Sequence, residues 1–274
     1  MVNKKRVLII THEMEPYLEI TPTAHTVLKT TSFLNNNTTE VRVLMPRFGN
    51  VNERRHRLHE VVRLSGINII VDEDDYPLII KVASLPGARL QVYFLENQEF
   101  FKRKNDVRDD KGTFYEDNAE RMIFFCKGVL ETVRKFGWAP DVIICHGWMS
   151  SLIPLYGKTA YKTDPIFTNS KFLYSIDAPM FDQMAVDLFN QKASIKRVLT
   201  SELEPYGNVT NNDLHKGAIY YSDAVMVQTE NLSPELQAAI DSSPTPKPLL
   251  VYDNDEHLGE TVKDFVKALT DNED

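Results

Sequence analysis

Apolar residues in this chain fall in short separated runs whose spacing switches between two periods. "RVLII" (6–10) and "VRVLM" (41–45) are compact β-branched runs, the pattern of strands buried on both faces. Between them, Thr21 followed by Pro22 reads as an N-cap and first helical position, which predicts a helix from Pro22 to about Asn35. The polar "NNNTTE" closes that helix. Strand, helix and strand in this order predict a parallel pair joined by a right-handed crossover.

Downstream, "GINIIV", "LIIKVASL" and "RLQVYFL" are three β-rich runs separated by "DEDDYP" and "PGA", and predict an antiparallel extension of the sheet around 61–95. The charged stretch "NQEFFKRKNDVRDDKGTFYEDN" reads as a long surface loop. From Asn118 to Phe136, Ala119, Met122, Ile123, Cys126, Val129, Leu130 and Val133 share one helical face, and Gly137 stands where the helix stops. A second series follows: strands at 141–145, 171–176 and 223–229, helical patterns in "MSSLIPLYGKTAY" (interrupted by Pro154), "NDLHKGAIYYS" and "SPELQAAI", a short linker at 241–248, and a final amphipathic "HLGETVKDFVKAL". The fold class expected is α/β, a mostly parallel sheet with helices on both faces, with residues 1–274 read as one domain. In such sheets ligands bind where loops leave the carboxyl ends of the strands.

Charge and composition narrow the function. A formal net charge of −8 argues against nonspecific binding to nucleic acid or an anionic membrane. Two cysteines, Cys126 and Cys145, both lie in apolar runs and read as buried reduced thiols rather than metal ligands. The opening apolar run of five residues is too short for a signal core or a membrane span, so a cytoplasmic location is expected. "RRHR" (54–57) and "KRK" (102–104) are short basic clusters that read as solvated faces.

Five stretches, in order, resemble the N-terminal domain of bacterial glycogen synthases and plant starch synthases. "VLIITHEMEPY" is similar to the opening strand and S-E-x-x-P segment, with Glu13 and Pro16 in place. "VRVLMPRFGNV" is similar to the second strand and its exit, with Pro46, Arg47, Phe48 and Gly49. "FYEDNAERMIFFCKGVLE" matches a Y-x-D-N helix start at Tyr115, Asp117 and Asn118. "WAPDVIICHGWMSSLIPLY" resembles P-D-hydrophobic-H-D-W-H-x-x-L-x-P, and "LHKGAIYYSDAVMVQTENLSPEL" the K-x-G stretch with its following strand. The resemblance implies one Rossmann-like half of a two-domain GT-B glycosyltransferase. The implied activity is retaining glucosyl transfer from ADP-glucose, or alternatively UDP-glucose, onto an α-glucan, with no cofactor or metal.

Three departures qualify it. The family's K-T-G-G-L loop uses lysine and glycine amides to hold a phosphate; here it reads "EITPTA", and the first glycine of the chain is Gly49. H-D-W-H becomes "HGWM", which keeps His146 and Trp148 but substitutes Gly147 and Met149. The strand-end histidine of T-x-H-N aligns with Asp177 in "YSIDA". The second domain, which supplies most nucleotide contacts in the family, is not expected within these residues.

The candidate catalytic residues are therefore Asp177 and His146, and the candidate sugar contacts are Glu13, Tyr115, Asn118 and Trp148. A domain that does not transfer glucose by itself, and acts in glucan binding or through a partner, is the leading expectation. An active glucosyltransferase and a purely structural interaction protein are the alternatives. The face that meets the second domain in the family is expected to be covered by the helix at Val262–Leu269, by self-association or by a protein partner.

Overall fold

The computed structural model describes residues 4–184, 189–195, 198–253 and 256–271. Its strands are β1 (Lys5–Ile10), β2 (Thr39–Pro46), β3 (His59–Glu60), β4 (Ile67–Val71), β5 (Asp74–Ser84), β6 (Gln91–Glu96), β7 (Val142–His146), β8 (Lys171–Ile176), β9 (Ala224–Gln228) and β10 (Leu249–Tyr252). They form one sheet in the order β10-β9-β8-β7-β1-β2-β6-β5-β3, with β4 paired to β5. From β10 through β6 every pairing is parallel. The antiparallel extension starts at β5 and takes in β4 and β3.

Differences from the sequence pattern are local. "RLQVYFL" yields β6, which adds to β2 in parallel register. Of "DEDDYP" only Asp72 and Glu73 turn the chain: Val71 pairs with Asp74, and Asp72 takes the left-handed conformation that so tight a hairpin needs. β10 inserts between the linker and the last helix.

The helices are α1 (Thr23–Leu34), α2 (Glu53–His56), α3 (Asn118–Phe136), α4 (Leu152–Lys158), α5 (Phe189–Ala193), α6 (Asn211–Tyr221), α7 (Pro234–Asp241) and α8 (Leu258–Asp271). α3 packs on α4, α4 on α6 and α6 on α7, whereas α1 is covered by α8. Crossovers that run in opposite directions from β1 place these two groups on opposite faces of the sheet. α3 ends at Gly137 in the left-handed conformation, as the pattern predicts. Pro154 is only the third residue of α4, where the missing N–H breaks no helical bond.

The buried stripe of α8, Leu258, Val262 and Val266, docks beside α1, and Lys5 at the start of β1 pairs with Asp271. The helix therefore does not cover the strand ends, contrary to the expectation for Val262–Leu269. Its apolar stripe is satisfied against Phe33 and its neighbours on the flank of the sheet. The 97–117 loop is also less free than its charge implies. Arg121 is fully buried beneath it and donates to the carbonyls of Phe100 and Asp106, both at 2.7 Å.

Candidate functional site at the strand ends

β1 is the strand from which the chain departs in both directions, to β2 on one side and β7 on the other. In sheets of this type ligands bind beyond the strand ends at such a reversal. Four segments meet there: Thr11–Glu13 after β1, His146–Trp148 at the end of β7, Asp177 after β8, and the first turns of α6.

Glu13 is wholly buried, and among the described residues no lysine or arginine pairs with it. Its Oε2 accepts the N–H of Ile20 and of Thr21, each at 2.7 Å, and Oε1 accepts the Thr21 hydroxyl at 2.6 Å. The Thr21 hydroxyl oxygen in turn accepts the N–H of Thr23 at 3.2 Å, but the helix begins at Thr23 with Pro22 in the cap position, one residue later than the sequence pattern predicts. These amides belong to the loop that aligns with K-T-G-G-L. A carboxylate of the chain itself thus occupies donors that would otherwise face an anion. Pro22 offers no N–H, and Glu15 and Glu19 add two acidic side chains to this segment, Glu15 at 3.1 Å from the His25 imidazole.

Next to it lie polar atoms with nothing to bond. Among the described residues, both ring nitrogens of His12 and of His146, and Oδ1 of Asp177, are buried without a hydrogen-bond partner. Buried polar groups are nearly always paired, so this gathering of orphans makes the strand ends the candidate site. Burial lowers the His146 imidazole to about 4, against the opposing pull of Asp177 and with a small addition from His12, so it is neutral near pH 7. His12 Nε2 lies 3.5 Å from Glu13 Oε1.

Asn211 and His215, four residues apart on one face of α6, complete the group. His215 shares a hydrogen bond with Tyr174 through Nδ1 (2.8 Å) and with Asn211 through Nε2 (2.9 Å), and its Nε2 lies 3.3 Å from Asp177 Oδ1. α6 is positioned by Thr210, whose hydroxyl accepts the N–H of Asp213 in a capping box.

The predicted residues therefore divide into two groups. Glu13, His146, Trp148 and Asp177 come together. Trp148 is fully buried under the stacked pair Phe114 and Phe181 (4.8 Å) and donates to Met180 Sδ at 3.3 Å, so its face is not open for a sugar ring to stack on. Tyr115 and Asn118 belong to a separate cluster. Tyr115 lies against the guanidinium groups of Arg103 and Arg121. Asn118 donates to Val107 O at 2.9 Å and accepts from Arg121 at 2.6 Å, while Asp117, bound to Arg103, holds the cap position. His12, Asn211 and His215 had no sequence signal, because each becomes chemical only through its neighbours in space.

Among the described residues no group of three His, Cys, Asp or Glu side chains is placed to hold a metal ion, and no helix is long and apolar enough to cross a membrane. Cys126 and Cys145 are both buried and unpaired.

Comparison with known proteins agrees with the fold. Glycogen synthase of Pelodictyon phaeoclathratiforme is 37% identical over 172 residues, covering 62% of this chain and 35% of that protein. Glycogen synthase of Chlorobium luteolum is 38% identical over the same length and the same shares. The chain thus matches about a third of the length of these relatives. The solved catalytic domain of starch synthase IV from Arabidopsis thaliana, bound to ADP and acarbose, superposes with a TM-score of 0.71 at 17% identity. That match covers 91% of this chain and 51% of the other, and establishes the shared α/β fold. Residues 6–242 match the starch synthase catalytic domain, and the chain belongs to that family.

Proposed function

We propose that this chain is a starch-synthase-type domain of glucan metabolism that binds an α-glucan and does not by itself transfer glucose from a sugar nucleotide. The observation that carries the reading is the first loop, "EITPTA", which has neither lysine nor glycine and whose amides at Ile20 and Thr21 are already taken by the Glu13 carboxylate. A nucleotide diphosphate at that loop would meet a buried carboxylate, two more acidic side chains and no lysine. Placing like charges together in a dry site costs several kcal/mol. The helix terminus at Thr23 returns only about 0.3–1 kcal/mol, with Pro22 lacking an N–H.

Residues 1–274 act as one unit in this reading, in the cytoplasm, with an α-glucan as ligand and a protein partner or a second copy over the strand ends. The reading is tested by titrating ADP, ADP-glucose and a soluble maltodextrin separately into the purified chain in a calorimeter. Heat with maltodextrin alone is expected. A micromolar dissociation constant for either nucleotide contradicts it.

A second reading, an active ADP-glucose or UDP-glucose glucosyltransferase, draws on a different observation. The unpartnered nitrogens of His12 and His146 beside Asp177 form a polar cluster equipped for hydroxyl groups. In that case neutral His146 orients a sugar hydroxyl, and Asp177 supplies negative charge near the reacting carbon.

A further inference from the structure

Gly147 and Asp177 exclude each other's side chains. Gly147 has φ 72 and ψ 177, a region essentially restricted to glycine. A Cβ built on it would lie 2.1 Å from Asp177 Oδ2 and 2.8 Å from its Cγ. With Asp177 placed as it is, even a methyl group at position 147 requires the carboxylate to shift. The carboxylate at 177 fills the volume into which a side chain at 147 would project.

This changes the meaning of two departures from the aligned motifs. Compared position by position, the aspartate of H-D-W-H is lost at Gly147 and the histidine of T-x-H-N is lost at Asp177. In space, a carboxylate still stands against position 147, carried from β8 instead of β7. An imidazole still stands beside position 177, carried by His215 on α6 at 3.3 Å.

The hydrogen bonds around His215 show what that carboxylate lacks. The N–H of Met180 donates to Asn211 Oδ1 at 3.2 Å, which turns the amide nitrogen of Asn211 toward His215 Nε2. Nε2 then accepts, and the ring proton sits on Nδ1, donating to the Tyr174 hydroxyl. Asp177 Oδ1 therefore faces a lone pair and, among the described residues, is left buried without a donor. A ligand hydroxyl would supply the missing proton.

We propose that the site has been rebuilt by exchange: Asp177 takes the place of the motif aspartate, Gly147 makes room for it, His215 positions it, and Oδ1 accepts a hydroxyl of a neutral sugar. The proposal rests on the glucan-binding reading for its ligand, but its steric half is independent of that reading.

The test uses Asp177→Ala, Gly147→Ala and their double variant. Urea midpoints and calorimetric affinity for maltodextrin are measured for each. Gly147→Ala is expected to lower the midpoint at least about twice as far in the wild-type background as in Asp177→Ala, since only backbone strain remains in the latter. Asp177→Ala is expected to bind maltodextrin about tenfold more weakly, the loss of one charge-assisted hydrogen bond. Equal midpoint shifts in both backgrounds, or a double variant that folds no better than Gly147→Ala, overturn the exchange. Wild-type affinity in Asp177→Ala overturns the hydroxyl contact. Absence of maltodextrin binding by the wild-type chain overturns the glucan reading instead, and the folding comparison then decides the exchange alone.

Discussion

Glu13 grips Thr21 from two sides, with Oε2 on its N–H at 2.7 Å and Oε1 on its hydroxyl at 2.6 Å. The loop that aligns with a phosphate-binding segment is thereby closed on a carboxylate from its own strand end. Charge-assisted hydrogen bonds of this kind are worth about 1.5–3 kcal/mol each and do not simply add. Glu13→Ala is expected to destabilise the fold by about 3 kcal/mol and to speed amide hydrogen exchange at Ile20 and Thr21. Unchanged exchange at those two amides would show that the carboxylate does not hold the loop.

Gly49, the first glycine of the chain, lies where β2's exit meets the 97–117 loop. A Cβ there would fall 1.6 Å from the carbonyl oxygen of Arg103. Backbone cannot swing aside as a side chain can, so the two segments must separate. Gly49→Ala is expected to cost about 3 kcal/mol, at the upper end of ordinary overpacking, read as a drop in the urea midpoint.

His146 makes stability depend on pH. Its folded imidazole titrates near 4, below the ordinary value of 6.5, and the main cause is burial. The unfolded chain therefore binds the proton more tightly. The penalty is absent above pH 6.5 and grows as pH falls through 6.5 toward 4, reaching about 2 kcal/mol at pH 5. His146→Gln should remove this component, so the variant should lose less stability than wild type between pH 7 and pH 5. Parallel losses would place the titration elsewhere.

Lys127 is a buried ammonium held by three carbonyls, those of Ile70 (3.1 Å), Lys192 (2.8 Å) and Ser194 (3.0 Å). Burial lowers it to about 8, partly offset by Asp72. Lys127→Ala leaves those carbonyls short of a donor and unties α5 from β4. The expected loss is about 1–3 kcal/mol, with faster hydrogen exchange confined to residues 189–195. Faster exchange throughout β1 and β7 would instead mean that the lysine supports the whole fold.

How far the sequence disclosed all this depended on the range of the interactions. Buried parallel strands such as "RVLII" and "DVIIC" carry their burial in their composition, and α3 announces both its face and its stop at Gly137. β10 carries little signal because "LLVY" is short and follows a proline-rich linker. Glu13, His146 and Asp177 were found by aligned motifs, but their partners were not. The grip of Glu13 on Thr21 spans eight residues, and the clash of a 147 side chain with Asp177 spans thirty. His215 lies thirty-eight residues beyond Asp177 and touches it only after β8 and α6 pack. Tyr115 and Asn118 carried a motif match, yet their side chains serve the Arg121 cluster, whose cause is a buried guanidinium needing acceptors.

The central claim, that the closed first loop leaves this chain unable to transfer glucose by itself, is met most directly by one assay. Labelled glucose is offered from ADP-glucose, and in parallel from UDP-glucose, to glycogen with the purified chain, a mock preparation and His146→Ala. Incorporation equal to the mock for both donors is the predicted result. Incorporation above the mock that disappears in His146→Ala would contradict the claim and establish a working transferase at the strand ends.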